Sequence, residues 1–308
     1  MTTPVRIAIA GCGRISEIGY VPALKHVGET ELCALSDPNQ RRREQLASAA
    51  GPAAPPTFSS VAEMFGEVLP DVLVVASPPQ LHVEHAELAA EAGVPALVEK
   101  PPGRGTEEAK RLTRLSQPAW IGFNRRFSHL RTVADLVPER GALSLTLRIS
   151  YRRASWRAHE VEDDALDDLG PHLADLAACL FGGRLSEARA SSVSPEHAEV
   201  EFRGERGRAL LLCETDSAWR EKVEVRDAQE RILARSVHGG LGRNLGLRLR
   251  RGEHPLVISL ARQLRAVVAA VRGDGDSGLA TADDGVAAMR ALDAARRSAA
   301  AAGTVMPV

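Results

Sequence analysis

Apolar and polar positions follow two different rhythms along the chain. Up to about residue 122, short strand-prone runs alternate with stretches of helical composition. Val5 to Ala10 (VRIAIA) is apolar and leads straight into Gly11-Cys12-Gly13. Glu31 to Ser36 predicts a second strand ending at Asp37, and Asp71 to Ala76 (DVLVVA) predicts a parallel strand buried on both faces. Ala96 to Val98 and Ala119 to Gly122 complete the set, while Arg41 to Ala50, Val83 to Ala92 and Glu107 to Leu115 read as helices. Strands that alternate with helices through short loops predict a doubly wound parallel sheet.

After Phe123 the rhythm changes to two-residue alternation. Leu143 to Tyr151 (LSLTLRISY) predicts a long strand. Ser186 to Ser194, Ala198 to Arg203, Ala209 to Thr215, Val223 to Arg226 and Ile232 to Val237 follow as further strands. Consecutive strands without intervening helices imply a large, mostly antiparallel open sheet in an α+β domain. Helices are expected at Asp168 to Leu180, Pro255 to Val271 and Thr281 to Ala302. The expected class is therefore α/β, with domains at 1–122 and 123–308.

Composition narrows the setting. The chain has 308 residues, 44% hydrophobic and 26% charged, which suits a folded protein of two ordinary domains. Its 39 basic and 40 acidic residues leave a net charge of -1, without the basic surplus that nucleic acid or an anionic membrane requires. Cys12, Cys33, Cys179 and Cys213 stand singly, with no CxxC pair for zinc, so no metal is expected and a cytoplasmic setting with reduced thiols is. A strand starting near Val5 leaves no room for a signal peptide, and arginines interrupt every apolar stretch before it reaches membrane-spanning length.

Three constellations carry chemistry. Gly11-Cys12-Gly13-Arg14-Ile15-Ser16 is G-x-G-x-x-S between a strand and a helix. The first glycine allows the turn, the second lets a pyrophosphate approach the backbone, and the small third residue lets the helix lie close to the sheet. Asp37 lies 26 positions beyond Gly11, where a carboxylate bonds ribose hydroxyls and favours NAD over NADP. Arg41, Arg42 and Arg43 follow it; a solvated helix face is the preferred reading, and contact with a 2′-phosphate, which would admit NADP, is the alternative. The second constellation is Glu99-Lys100-Pro101-Pro102 at a strand's C-terminal end, the edge where such sheets bind ligands. Only four of the 39 basic residues are lysines, so Lys100 suggests a need for a compact amine and not a guanidinium. The third is Asp168-Leu169-Gly170-Pro171-His172, with Asp175 a turn further. Pro171 requires a helix that starts at Asp167 or Asp168, which puts Asp168 and His172 on one face. A histidine beside a carboxylate is what an alcohol dehydrogenase needs to take up the hydroxyl proton as hydride departs.

Together these pieces resemble the Gfo/Idh/MocA oxidoreductase family. The resemblance rests on the GCGRIS loop, Ser77-Pro78-Pro79 with His82, Glu99-Lys100-Pro101, Gly122-Phe123-Asn124-Arg125-Arg126-Phe127, DLGPH with Asp175, and Asp283-Asp284-Gly285 with Ser298. It spans nearly the whole chain, although residues 184 to 255 carry no matching motif. It implies an N-terminal Rossmann domain with an α+β domain behind it, and hydride transfer between NAD(P) and a secondary alcohol or ketone of a sugar, cyclitol or related molecule. Gly11, Cys12, Gly13, Arg14, Ile15, Ser16, Asp37, Ser77, Pro78, His82 and Glu99 would hold the cofactor. Lys100 would bond the reacting oxygen, His172 would act as acid/base, and Asp168 would orient the site. Asn124, Arg125 and Arg126 would meet substrate, and Tyr151 to Arg157, notably Trp156 and Arg157, would line its pocket. The EKP triplet is followed by Pro102-Gly103, a departure from the commoner pattern. A homodimer or homotetramer is expected.

Other motifs fail on their own terms. No lysine follows a glycine as a Walker loop requires, neither Tyr20 nor Tyr151 has a lysine four residues on, and His159-Glu160 lacks a second histidine. His82 and His85 read as a surface pair on a helix. A nicotinamide-binding regulator without turnover and a redox-neutral NAD enzyme are the competing functions; the first would be expected to lose Lys100, Asp168 and His172. Arg243, Arg248, Arg250 and Arg251 form a basic cluster that either grips an anionic sugar or is a solvated loop.

Overall fold

A computed structural model describes residues 3–156, 163–240, 254–275 and 278–308, with no account of the side chains of Ser155 and Trp156. Two compact units form, Met1–Asn124 with Leu256–Val286, and Arg125–Pro255 with Ala287–Val308.

The first unit is built on six parallel strands: β1 (Val5–Ala10), β2 (Thr30–Ser36), β3 (Thr57–Phe58), β4 (Val72–Val75), β5 (Ala96–Val98) and β6 (Ala119–Ile121). Their order, β3-β2-β1-β4-β5-β6, reverses direction beside β1, which leaves a crevice at the C-terminal ends of β1 and β4. Every residue of β4, β5 and β6 is buried, as the unbroken apolar runs require. Helices α1 (Val21–Leu24), α2 (Gln40–Ala50), α3 (Val61–Glu67), α4 (His82–Glu91) and α5 (Thr106–Leu112) connect the strands. A π-type turn, Ser16–Tyr20, precedes α1. There a Cβ on Gly19 would lie 2.7 Å from Leu260 Cδ1, so a larger residue would require that leucine to shift. Sequence rhythm did not disclose β3, of two residues, or α3.

In the second unit, α6 (His129–Val133) precedes β7 (Leu143–Arg152) and α7 (Ala165–Phe181). β8 (Leu185–Val193), β9 (His197–Gly204), β10 (Gly207–Glu214), β11 (Asp216–Asp227) and β12 (Ile232–Gly239) follow, and β13 (Met306–Pro307) closes the edge. The sheet order is β12-β11-β7-β10-β9-β8-β13, and only the β7–β10 pair is parallel. Leu143, Leu145, Leu147 and Ile149 of β7 are buried on one face, with Ala209, Leu211 and Cys213 of β10. The apolar stripe of α7, through Leu166, Leu169, Leu173, Leu176 and Leu180, is buried too. Helix α8 (Pro255–Arg272) falls in the first unit, and α9 (Ala282–Ala300) supplies residues to both.

Two expectations need correction. Helix α7 begins at Ala165, not at Asp167 or Asp168, so Pro171 lies inside it. The reason is a stronger cap upstream: Asp164 Oδ1 accepts from the backbone N–H groups of Leu166 and Asp167, both at 3.0 Å. Asp168 and His172 nonetheless keep their four-residue spacing on one helix. Strand β11 starts seven residues before Val223: Asp216 pairs with Arg152 of β7, and after an irregularity the mostly polar run Arg220 to Lys222 pairs with both β7 and β12.

Candidate active site

The first region lies at the C-terminal ends of β1, β2, β4 and β5. Gly11 has φ +101°, and a Cβ there would stand 2.4 Å from Ala76 O, so only glycine lets β1 and β4 close on each other. Gly13 differs: nothing stands within 4 Å of where its Cβ would be, which leaves open space for a phosphate above the loop. The chain turns into helix from Arg14, which aims backbone N–H groups at that space. Ser16 is fully buried and donates its hydroxyl to Gly11 O at 2.6 Å. It therefore closes the loop chemically as well as fitting by size. Ile15 is half-buried, and Arg14 is turned to the surface in a pair with Glu17 at 2.8 Å.

Asp37 is anchored at the end of β2. Its Oδ2 accepts from Cys12 N–H and its Oδ1 from Asn39 N–H, both at 2.8 Å. The buried Cys12 thiol is pushed up to about 12 by burial and by Asp37, and so stays an inert thiol. Arg43 donates to Asp37 O at 2.5 Å, so this arginine braces the turn and is not a member of a purely solvated face. On the β4 end, Ser77 Oγ is buried and has no hydrogen-bond partner among the described residues, a donor and acceptor awaiting a polar ligand. Pro78 is exposed beside it.

His82 is 1% exposed, which corrects the reading of it as half of a surface pair. Its ring nitrogens lie 2.7 Å from Pro101 O and 2.8 Å from Ser77 O, so the imidazole straps the loop after β4 to the loop after β5. Burial lowers its pKa, against the pull of the two carbonyls. In the second loop Glu99 accepts from Tyr20 O–H at 2.6 Å and from Lys100 N–H at 3.0 Å, and the Lys100–Pro101 peptide is cis. Burial and Glu99 together hold the Tyr20 phenol well above its ordinary range. Lys100 is half-buried at this edge, and Asn124, 3% exposed, closes the unit.

The second unit holds the other predicted residues. Asp168 Oδ2 accepts from Tyr151 O–H and, at 3.4 Å, from Arg153. Burial and Asp168 raise the Tyr151 pKa, so the phenol remains a donor. His172 is buried one turn beyond Asp168 on α7. Arg126 grips Asp175, one turn further along the helix, with two bonds, at 2.9 and 2.5 Å. Arg125 binds Glu221 at 2.6 Å. Both arginines proposed for substrate are thus held by carboxylates of their own unit. Trp156 ends a short turn, Arg153–Trp156, whereas Arg157 lies outside the described residues, as do His159, Glu160, Arg243, Arg248, Arg250 and Arg251.

Sequence reasoning missed two groups. Tyr151 was marked only as part of a pocket-lining stretch, although being one of two tyrosines could have singled it out. His129, Glu221 and His238 escaped notice because they are far apart in sequence and sit in segments without a motif.

A doubly wound sheet with a glycine loop, an acidic strand end and an unpartnered serine at its switch point defines a dinucleotide-binding class of protein. Residues 5–119 match the model of GFO_IDH_MocA, an oxidoreductase family with an NAD-binding Rossmann fold. D-glucoside 3-dehydrogenase of Escherichia coli (strain K12) is 30% identical over 131 residues, 41% of this chain and 37% of that one. Rhizopine catabolism protein MocA of Rhizobium meliloti is 28% identical over 310 residues, covering 95% of this chain and 94% of the relative. The matches to the first curated relatives span 37% to 58% of those proteins' length. Among solved structures, scyllo-inositol dehydrogenase from Lactobacillus casei, crystallised with NAD(H) and scyllo-inositol, has the same fold, with a TM-score of 0.80 at 15% identity over 99% of each chain.

Proposed function

We propose that the chain is an NAD-dependent oxidoreductase, with NADP as a possible substitute, acting on a secondary alcohol or ketone of a sugar, cyclitol or sugar derivative. The observation that carries this reading is the edge of the first sheet. Within it an open glycine, the anchored Asp37 and the partnerless Ser77 hydroxyl border one crevice, with the Lys100 amine one strand further on. Gly11 to Ser16, Asp37, Ser77, Pro78, His82 and Glu99 would hold the cofactor, some by contact and some, such as His82, by fixing loops. The nicotinamide supplies the hydride acceptor or donor when bound. Lys100 stabilises negative charge on the reacting oxygen. His172 takes or returns its proton, and Asp168, fixed by Tyr151 and Arg153, supports the charged imidazole. Asn124, Trp156 and Arg157 are proposed for substrate contact, with Arg125 and Arg126 shaping the region from their ion pairs.

A reducing, cytoplasmic setting is supported by four cysteines that form no disulfide among the described residues, and a homodimer or homotetramer built on the seven-stranded sheet would cover its open face. Among the described residues no helix is long and apolar enough to cross a membrane.

The test is a screen of cyclitols, hexoses, amino sugars and nucleotide sugars with both cofactors, followed by nicotinamide absorbance. With the substrate found, Lys100→Ala should keep cofactor affinity and lose about a hundredfold or more in turnover, the scale of a general acid/base or oxyanion group. Turnover at the wild-type rate in that variant would reject the assignment.

A further inference from the structure

Outside the groups used above, one cluster brings two imidazoles and a carboxylate to a point. His129 comes from α6, and Glu221 and His238 are directly paired residues on β11 and β12. His129 Nε2 lies 2.9 Å from Glu221 Oε2, His238 Nδ1 lies 3.9 Å from the same oxygen, and the three ligand atoms fall within 4.8 Å of one another. In a tetrahedral zinc site, bonds of about 2.0–2.1 Å put neighbouring ligand atoms about 3.3 Å apart. The two distances to Glu221 Oε2, 2.9 and 3.9 Å, bracket that value.

The surroundings match what such ligands need. His129 Nδ1 lies 2.9 Å from Ser236 Oγ, which fixes the ring and leaves Nε2 directed at the shared point. Arg125 at 2.6 Å and Trp219 at 3.3 Å both donate to Glu221 Oε1, orienting the carboxylate so that Oε2 faces the imidazoles. The rings of His129 and His238 stack with centroids 4.4 Å apart. The side chains of His129 and Glu221 are 1% and 6% exposed, while that of His238 is 27% exposed, which gives an ion a way in and a place for a water ligand.

We propose that His129, Glu221 and His238 form a binding site for one divalent transition-metal ion of the zinc class, which staples α6 to the strand pair β11–β12. Imidazole nitrogen with one carboxylate is a donor set for zinc, and the ion serves structure and not hydride transfer. The guanidinium of Arg125 on the far carboxylate oxygen draws charge from the site, so affinity is expected to fall below that of structural zinc centres.

The experiment uses the full, untagged chain, stripped with chelator and titrated with zinc chloride in a calorimeter. One equivalent should bind, the melting temperature should rise, and the ring signals of His129 and His238 should shift in histidine NMR spectra. His238→Gln and Ser236→Ala should each lower affinity by about tenfold or more. His197→Gln, which removes an exposed histidine paired with Asp216, should change nothing. Lys100→Ala should bind zinc like the wild type, so loss of the oxidoreductase reading would leave this proposal standing. No uptake by the wild type at zinc concentrations up to about 1 mM, or undiminished uptake by a His238→Gln variant with a native circular-dichroism spectrum, would overturn it.

Discussion

Gly11 and Gly13 sit two positions apart in one loop, yet only one has room for a methyl group. At Gly11 a side chain would need both a left-handed backbone and a 2.4 Å approach to Ala76 O. Strain and overpacking together predict that Gly11→Ala destabilises the first unit by about 3 kcal/mol or more. Gly13 has neither restriction, so Gly13→Ala should change stability by no more than about 0.5 kcal/mol. Its added carbon would instead occupy the space reserved for a pyrophosphate and weaken NAD binding about tenfold or more. Denaturant melts and NAD titrations of the two variants separate the glycine that makes the fold from the glycine that makes room for a ligand. Unaltered NAD affinity in Gly13→Ala would move the pyrophosphate elsewhere. At this scale the sequence was informative wherever a residue's chemistry is local. GxGxxS, Asp37 and Lys100 each sit where strand ends put them. Burial hid the rest: His82 reads as a surface histidine until its two carbonyl neighbours are seen, and the Asp175 that grips Arg126 lies 49 positions away in sequence.

Helix α7 shows how an element's boundary is decided by competition between signals. Proline argues for a start no earlier than Asp167, yet a capping aspartate outweighs it, because Asp164 satisfies two otherwise unpaired N–H groups. Arg296 of α9 adds a fork to that cap, with both bonds to Asp164 at 2.9 Å, and also pairs with Asp167. Asp164→Ala should therefore cost about 1–2 kcal/mol, since the cap is lost whatever the arginine does. Arg296→Met should cost less than about 1 kcal/mol, because its guanidinium is partly solvated and the cap survives. Equal losses in thermal melts would mean that the ion pair, not the cap, starts the helix. Among strands, apolar composition located β1, β4 and β5 to within a residue or two, because burial on both faces leaves no other composition available. β11 was legible only from Val223 onward. Its first half holds Arg220 and Glu221, whose pairing depends on partners in β7 and β12 that no local pattern announces. The short α6 and the His129–Glu221–His238 cluster were hidden for the same reason.

Across the whole molecule, the carboxylates held below their ordinary range inside ion networks belong to the second unit. Glu224 is 3% exposed; burial alone would raise its pKa, but Lys222 at 3.0 Å, Arg226 at 2.9 Å and Arg235 at 2.7 Å bring it down to about 2. Burial likewise opposes the ionised form of Asp164, and Arg296 with the backbone N–H groups of α7 outweighs it. In the first unit the lowered carboxylates, Glu63 and Glu108, face solvent or lie half-exposed, where water screens their contribution. The sign follows from proton counting. A group whose folded pKa is depressed binds fewer protons folded than unfolded, so its stabilisation is complete above the unfolded value of about 4.3 and drains away as pH falls through the folded one. Acid should thus open the second unit first, over the interval from about pH 4.5 to pH 2. Hydrogen exchange resolved by peptide would show β11 and β12 losing protection at a higher pH than β1 and β4. Glu224→Gln should be less stable than the wild type at neutral pH, with the gap closing towards pH 2, because protonation does to the wild type what the amide does to the variant. A gap that stays constant with pH, or strands of the first unit that open before β11, would show that acid acts through some other group.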